Sequence, residues 1–189
     1  DVFAAIKGGA LVLQNGRKVY VSKWDLGIFH PDCTYLTVSG LHWGKKNPAR
    51  LQKTEESLIF VERLMTCDIH FIAIENPIGC ISSRIRKPEQ IIQPYQFGDD
   101  ASKSTCLWLK NLPNLQNTAY FPPRVANGKN RWGNQTDDGQ NKLMIDGKWI
   151  GYKDPRTKEH RSKTYPGIAS AIADQWGEYI TDQWDYILN

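Results

Sequence analysis

Four cysteines and four histidines are scattered through the chain without one C-x-x-C pair or any zinc-like spacing, so no metal site is expected. Cysteine is also too sparse for a disulfide scaffold, and no charged-then-apolar leader opens the sequence. A reducing cytoplasm is therefore the expected compartment. No apolar run approaches the ~20 residues needed to cross a bilayer, which excludes a helical membrane anchor and predicts a soluble protein. Met is missing from the first position, and no glycine-rich strand-to-helix turn precedes Asp1-Val2-Phe3-Ala4-Ala5-Ile6.

What is present is ordinary in bulk. With 189 residues, 40% hydrophobic and 23% charged, the chain is long enough for one domain with a hydrophobic core. Its net charge of +4 and isoelectric point near 8.8 permit a polyanionic partner. Seven tryptophans and eight tyrosines suit base stacking as well as core packing.

Along the chain, residues 1–7 read as a loop and short helix closed by Gly8-Gly9. Residues 10–22 read as a hairpin turning at Asn15-Gly16. Residues 50–65 carry Leu51, Leu58, Ile59, Phe60, Val61 and Leu64 among charged residues, an amphipathic helix, with Thr54-x-x-Ser57 only a poor cap. That helix is the expected crossover of a right-handed βαβ unit. Residues 81–88 read as a basic loop, and 90–96 and 104–109 as strands. From 114 to 163 the composition turns polar and basic, an irregular functional insertion with one hairpin turn at Asp146-Gly147. A helix over 168–180 follows from Ile168, Ile172, Trp176 and Ile180.

Two stretches organise the whole. One is Trp24-Asp25-Leu26-Gly27-Ile28-Phe29-His30-Pro31-Asp32-Cys33-Thr34-Tyr35-Leu36-Thr37, and the other Ile69-His70-Phe71-Ile72-Ala73-Ile74-Glu75-Asn76-Pro77. Each is an apolar run of the kind buried on both faces of a sheet. Each delivers a reactive group just past the strand, a thiol and a carboxyl. Open parallel sheets bind ligands beyond the carboxyl ends of their strands, so Cys33 and Glu75 are expected to share a cleft as nucleophile and acid. A carboxylate closing so apolar a strand favours function over a plain surface acid. Cys67, Cys80 and Cys106 are expected in packing, His30 and His42 in packing or at a rim.

Several motifs occur in a fixed order: His30-Pro31-Asp32-Cys33-Thr34-Tyr35-Leu36-Thr37, Glu75-Asn76-Pro77-Ile78-Gly79, Arg84-Ile85-Arg86-Lys87-Pro88 and Gln93-Pro94-Tyr95-Gln96-Phe97-Gly98. Then come Lys103-Ser104-Thr105-Cys106-Leu107-Trp108-Leu109-Lys110 and Arg161-Ser162-Lys163-Thr164-Tyr165-Pro166-Gly167-Ile168-Ala169 with Gln175-Trp176-Gly177. In this series the chain resembles the phage-type DNA cytosine-C5 methyltransferases over essentially its full length. The resemblance implies an α/β, Rossmann-like S-adenosylmethionine-dependent fold with a mostly parallel sheet. It also implies that the first strand is missing, the chain opening near the family's third block as an N-terminally truncated member. Residues 1–189 are then one catalytic domain with its insertion at about 114–163.

By the same resemblance S-adenosylmethionine is the methyl donor and double-stranded DNA the partner, in the cytoplasm of a bacterial host, with the target cytosine flipped out. Cys33 is implied as the nucleophile at ring C6, and Glu75 as the acid at N3. Asn76, Pro77, Arg84, Arg86, Lys103 and Thr105 are implied as substrate-binding, Asp1 and Pro31 as cofactor-binding. The family's Pro-Cys is Asp32-Cys33 here, and a carboxylate beside a thiol opposes thiolate formation. Two rivals stay open: an amino-methyltransferase acting on an exocyclic nitrogen, and an inactive DNA-binding remnant. The aromatics Trp132, Trp149 and Tyr152, interleaved with basic residues, favour a nucleic-acid partner in either case.

Overall fold

The stretch around Phe71 becomes a strand because it is apolar at successive positions, and Phe71, Ile72, Ala73 and Ile74 are each 3% exposed or less. This strand, β4 (Phe71–Pro77), lies inside the one four-stranded sheet among the described residues. The computed structural model describes residues 1–38, 47–151, 154–157 and 164–188. The chain divides into two compact units, Asp1–Ile91 with Thr105–Pro113, and Ile92–Ser104 with Asn114–Asn189.

The first unit opens with α1 (Val2–Ile6), capped by the Asp1 carboxylate. The predicted hairpin follows as β1 (Gly9–Val12) against β2 (Lys18–Val21), with Gly16 supplying the positive φ of its turn. β3 (Leu26–Phe29) leads into a 3₁₀ turn, Cys33–Tyr35. Helix α2 (Pro48–Met65) begins two residues before the sequence reading. Its cap is Asn47, whose side chain accepts the Arg50 N–H, and Pro48 occupies the first turn, where its missing N–H costs nothing. Thr54, Leu58, Val61 and Leu64 form its buried stripe. The stripe packs into a core with Leu36, Ile69, Ile72, Ile74, Cys80, Ile81, Cys106 and Trp108.

After β4 come a four-residue helix α3 (Ile81–Arg84), β5 (Gln90–Ile92) and β6 (Thr105–Lys110). The sheet order is β3-β4-β6-β5. β3 and β4 are parallel, Leu26 opposite Phe71 and Phe29 opposite Ile74. β4 and β6 are antiparallel, Ile72 opposite Lys110 and Pro77 opposite Thr105. The expected mostly parallel, Rossmann-like sheet is thus corrected to a mixed one, accompanied by three small antiparallel hairpins. The physical reason is that burial on both faces does not encode direction. β6 is buried at five successive positions, the pattern a parallel strand would show, although it runs back along β4.

Two local expectations also change. The basic loop expected at 81–88 contains α3, and the strand expected at 90–96 stops at Ile92. Pro94, which cannot donate to a ladder, opens a 3₁₀ turn, Pro94–Gln96, instead.

The second unit holds two hairpins. β7 (Arg124–Ala126) pairs with β8 (Lys129–Arg131), and β9 (Leu143–Ile145) with β10 (Lys148–Ile150). Both turns are Asx-Gly, with all four residues at positive φ: Asn127 at 52°, Gly128 at 68°, Asp146 at 49° and Gly147 at 72°. The C-terminal helical stretch runs longer than the sequence spacing indicated. α4 (Pro166–Ala171) passes through a π turn, Ile172–Trp176, into α5 (Gly177–Leu188). Trp176 is fully buried at that turn. Tyr95 stacks on Trp132 at 4.1 Å between ring centroids. Trp149 lies in β10, while Tyr152, Lys153 and residues 158–163 lie outside the described residues.

Candidate functional site

Because β3 and β4 are parallel neighbours, their carboxyl ends coincide, and the two organising stretches emerge side by side. Three links hold them together. The His30 imidazole Nδ1 lies 3.0 Å from the Glu75 carboxylate. The Asn76 Nδ2 group donates to the Pro31 carbonyl at 2.8 Å. The Cys80 N–H donates to the Leu36 carbonyl at 2.8 Å, beside an antiparallel bridge between Thr37 and Gly79. That last approach requires glycine at 79, since a Cβ there would run into the Leu36 carbonyl oxygen.

Cys33 opens the 3₁₀ turn that these links bracket, and it is half-buried. The turn is capped by Asp32, whose Oδ1 accepts the Thr34 N–H at 2.8 Å and the Thr34 hydroxyl at 2.6 Å. The carboxylate next to the thiol is therefore engaged in capping. Helix α2 braces the turn from its other side. Arg50 donates to the Thr34 carbonyl at 2.8 Å and lies over the Tyr35 ring, and the buried Thr54 hydroxyl donates to the Tyr35 carbonyl at 3.1 Å.

Glu75 has a side chain about a quarter exposed, at 23%, so its carboxyl is reachable from outside while held by His30. Its charge, after burial, is the next contributor pushing the neighbouring Cys106 thiol up. Asn76 is 1% exposed, and its Oδ1 has no hydrogen-bond partner among the described residues. A buried acceptor without a donor is uncommon, and such atoms concentrate at working positions.

The other implied residues separate into groups. Pro31 and Pro77 flank the linked segments, and the buried Thr105 faces Pro77 across the β4–β6 pair. Arg84 forms an ion pair with Glu55 of α2 at 2.8 Å. Arg86 pairs with Glu89 and donates to the Leu109 carbonyl at 3.0 Å, so both arginines are held by the fold. Lys103 belongs to the second unit. Asp1 caps α1. His42 and the Lys45-Lys46 pair lie outside the described residues.

A cleft of about 340 Å³ adjoins the linked segments, lined by His30, Pro31, Asp32, Leu36, Glu56, Ser57 and Phe60. Its two carboxylates are engaged, Asp32 in capping the turn and Glu56 in an ion pair with Lys53 at 2.9 Å and a hydrogen bond from Gln52, beside an apolar floor of Pro31, Leu36 and Phe60. Pro31 lines this cleft, whereas Asp1, Cys33 and Glu75 are not among its described lining residues. The functional residue missed in the sequence is His30, assigned there to packing or a rim. Its contact with Glu75 spans 45 positions, and only its place beside Pro31-Asp32-Cys33 could have flagged it.

Among the described residues no group of three or more His, Cys, Asp or Glu side chains is placed to hold a metal, and no helix is long and apolar enough to cross a membrane. Comparison with protein-family models, with curated proteins and with solved structures finds no match to this chain.

The four thiols differ in setting, and a labelling experiment reads the difference. Burial pushes Cys67, Cys80 and Cys106 above the ordinary thiol range, so near neutral pH each stays protonated and slow. Cys80 and Cys106 are also nearly inaccessible. Iodoacetamide at neutral pH is expected to leave Cys80 and Cys106 unmodified in the folded protein, with Cys67 reacting only as pH climbs past the usual thiol range. Peptide mapping by mass spectrometry checks the pattern.

Proposed function

We propose that this chain transfers a methyl group to C5 of cytosine in double-stranded DNA, with S-adenosylmethionine as donor. The observation that carries the proposal is the joining of the Cys33 turn to the Glu75-Asn76-Pro77 strand end by His30, Asn76 and the Gly79 approach. A thiol and a carboxyl carried by two segments joined in this way are the pair of groups that addition to a pyrimidine ring requires. The ordered motifs of the sequence supply the choice of cytosine and of C5.

The Cys33 thiolate adds to C6 of the flipped base, forming a C–S bond. The Glu75 carboxyl gives a proton to N3 and takes up the charge that addition places on the ring. C5 thereby becomes an enamine-like carbon able to bond to an electrophilic methyl group. S-adenosylmethionine supplies that methyl group when bound, and Pro31 and Phe60 are the residues we assign to its cleft. Transfer of the C5 proton to water, return of the N3 proton to the Glu75 carboxylate and expulsion of the Cys33 sulfur as thiolate restore the ring.

His30 acts through Glu75 and is a positioning residue. Its replacement by alanine removes one charge-assisted hydrogen bond, worth about 1.5–3 kcal/mol, or roughly 10- to 100-fold in rate. We expect kcat to fall by that factor in His30→Ala with the KM for DNA unchanged. A loss confined to KM would place His30 in substrate binding instead.

Incubating the protein with duplex DNA and S-adenosylmethionine, then analysing the nucleosides by mass, tests the proposal. 5-Methylcytosine is expected. N4-Methylcytosine or N6-methyladenine would transfer the assignment to the amino-methyltransferases, and no methylated nucleoside would favour the remnant.

A further inference from the structure

At the opposite end of the same β3–β4 pair lies a larger cleft, about 630 Å³ in volume. It opens where Ser22 and Lys23 enter β3 and where Cys67 and Asp68 enter β4, away from the carboxyl ends that carry Cys33 and Glu75. Its charge is lopsided. Lys7 comes from the end of α1, Lys23 from the exit of the first hairpin and Arg63 from the last turn of α2, against the single carboxylate of Asp68. Neither lysine's side chain forms an ion pair among the described residues. Compensation of the helix dipole accounts for a cation in the last turn of α2, hence for Arg63. It does not account for two lysines brought to the same opening by other elements.

The cleft also has a flat, partly apolar wall. The Arg63 guanidinium lies over the Phe3 ring at 3.8 Å, and Phe3 in turn meets Phe60 edge-on at 5.5 Å. Arg63 is thereby held flat, its N–H edge without an acceptor among the described residues and its outer face available to a further ring. Ile6 and Phe3 supply the apolar surface beside it. The volume falls within the range of small-molecule sites, about 300–1,000 Å³.

We infer that this cleft binds a nucleoside monophosphate, with the phosphate on Lys7 and Lys23 and the base stacked on Arg63 against Phe3 and Ile6. The inference does not rest on methyl transfer, because none of these residues belongs to the site at the strands' carboxyl ends. Two cations suit a dianionic phosphate, and one guanidinium face suits one base. Asp68 is the residue that limits affinity, since among the described residues lining the cleft it is the acidic one.

Titration calorimetry with adenosine 5′-monophosphate tests this directly. A Kd of about 10–500 µM is expected. Adenosine alone and inorganic phosphate alone should each bind at least about tenfold more weakly, since each keeps only part of the contact. The double substitution Lys7→Ala, Lys23→Ala should raise the Kd at least about tenfold with an unchanged circular dichroism spectrum, both side chains being exposed. Asp68→Asn should tighten binding about twofold or more, which keeps the inference testable if the double variant misfolds. Absence of saturable binding, or equal affinity in wild type and the folded double variant, would overturn the assignment. So would displacement of the nucleotide by a short DNA duplex with the same dependence on Lys7 and Lys23, which would assign the phosphate to a nucleic-acid backbone. Each outcome can be read whether or not methyl transfer is observed.

Discussion

Cys33→Ser is expected to abolish methyl transfer while leaving DNA affinity within about twofold of wild type, since the exchange alters one atom and no charge of the resting side chain. The chemistry demands a large loss. A serine hydroxyl at neutral pH lacks the thiol's ready access to its anion, and addition to C6 needs the anion. A drop of at least about three orders of magnitude in kcat is expected, corresponding to about 4 kcal/mol in the barrier. The turn itself should survive. Its contacts come from the Asp32 cap, from Arg50 and Thr54, and from the Leu36 carbonyl, none of which uses the Cys33 sulfur. Rates measured with tritiated methyl donor, together with DNA affinity by fluorescence anisotropy, separate the two effects. Transfer retained within tenfold would take Cys33 out of the mechanism.

The second large effect is on stability. Gly79→Ala should destabilise the first unit by about 2–4 kcal/mol, through a steric clash and a lost backbone hydrogen bond. The added Cβ would meet the Leu36 carbonyl oxygen, its carbon and the Thr37 Cα, all backbone atoms that cannot rotate away. Relief requires the 79–80 segment to withdraw, which breaks the Cys80 N–H to Leu36 carbonyl bond. Thermal unfolding should shift down by roughly 5–15 °C for a chain of this size. The informative control is Gly128→Ala, where φ is positive but nothing lies within 4 Å of the added Cβ. There only left-handed strain remains, about 1 kcal/mol. Equal losses at the two positions would mean that the close approach at Gly79 contributes nothing. If Gly79→Ala folds, its methyl transfer should also fall, because the same contact joins the two strand ends.

Local features of this chain were legible where a residue's own chemistry decides them. Asn15-Gly16 and Asp146-Gly147 announce turns, and both become hairpins. Asn127-Gly128 carries the same signal inside a polar stretch, and it too becomes one. Of the apolar residues that mark α2 in the sequence, Leu58, Val61 and Leu64 are buried, whereas Leu51, Ile59 and Phe60 are exposed and Thr54 completes the buried stripe. Strand direction was not legible. β4 and β6 bury both faces, so alternation cannot reveal that one runs back along the other, and the expected parallel sheet is mixed. The site was legible in part. Cys33 and Glu75 stood out because a thiol and an acid end apolar runs, and the parallel pairing of β3 and β4 brings those ends to one edge. His30 escaped because its partner is remote in sequence. The clamp at Gly79 escaped because a glycine after a proline-bearing turn looks like ordinary loop chemistry. Arg84 and Arg86, which sequence alone offers to DNA, are held by Glu55, Glu89 and a strand carbonyl.

The central claim is that the Cys33 sulfur bonds to C6 of a cytosine whose C5 then takes a methyl group and loses a proton. Placing fluorine at C5 blocks that last loss, so the bond to sulfur cannot be released. Duplex DNA containing 5-fluorocytosine, incubated with the protein and S-adenosylmethionine, should give a complex that survives denaturant. Proteolysis and mass spectrometry should locate the nucleotide on Cys33. A complex on any other cysteine, or none under conditions where 5-methylcytosine forms in ordinary DNA, would contradict the account.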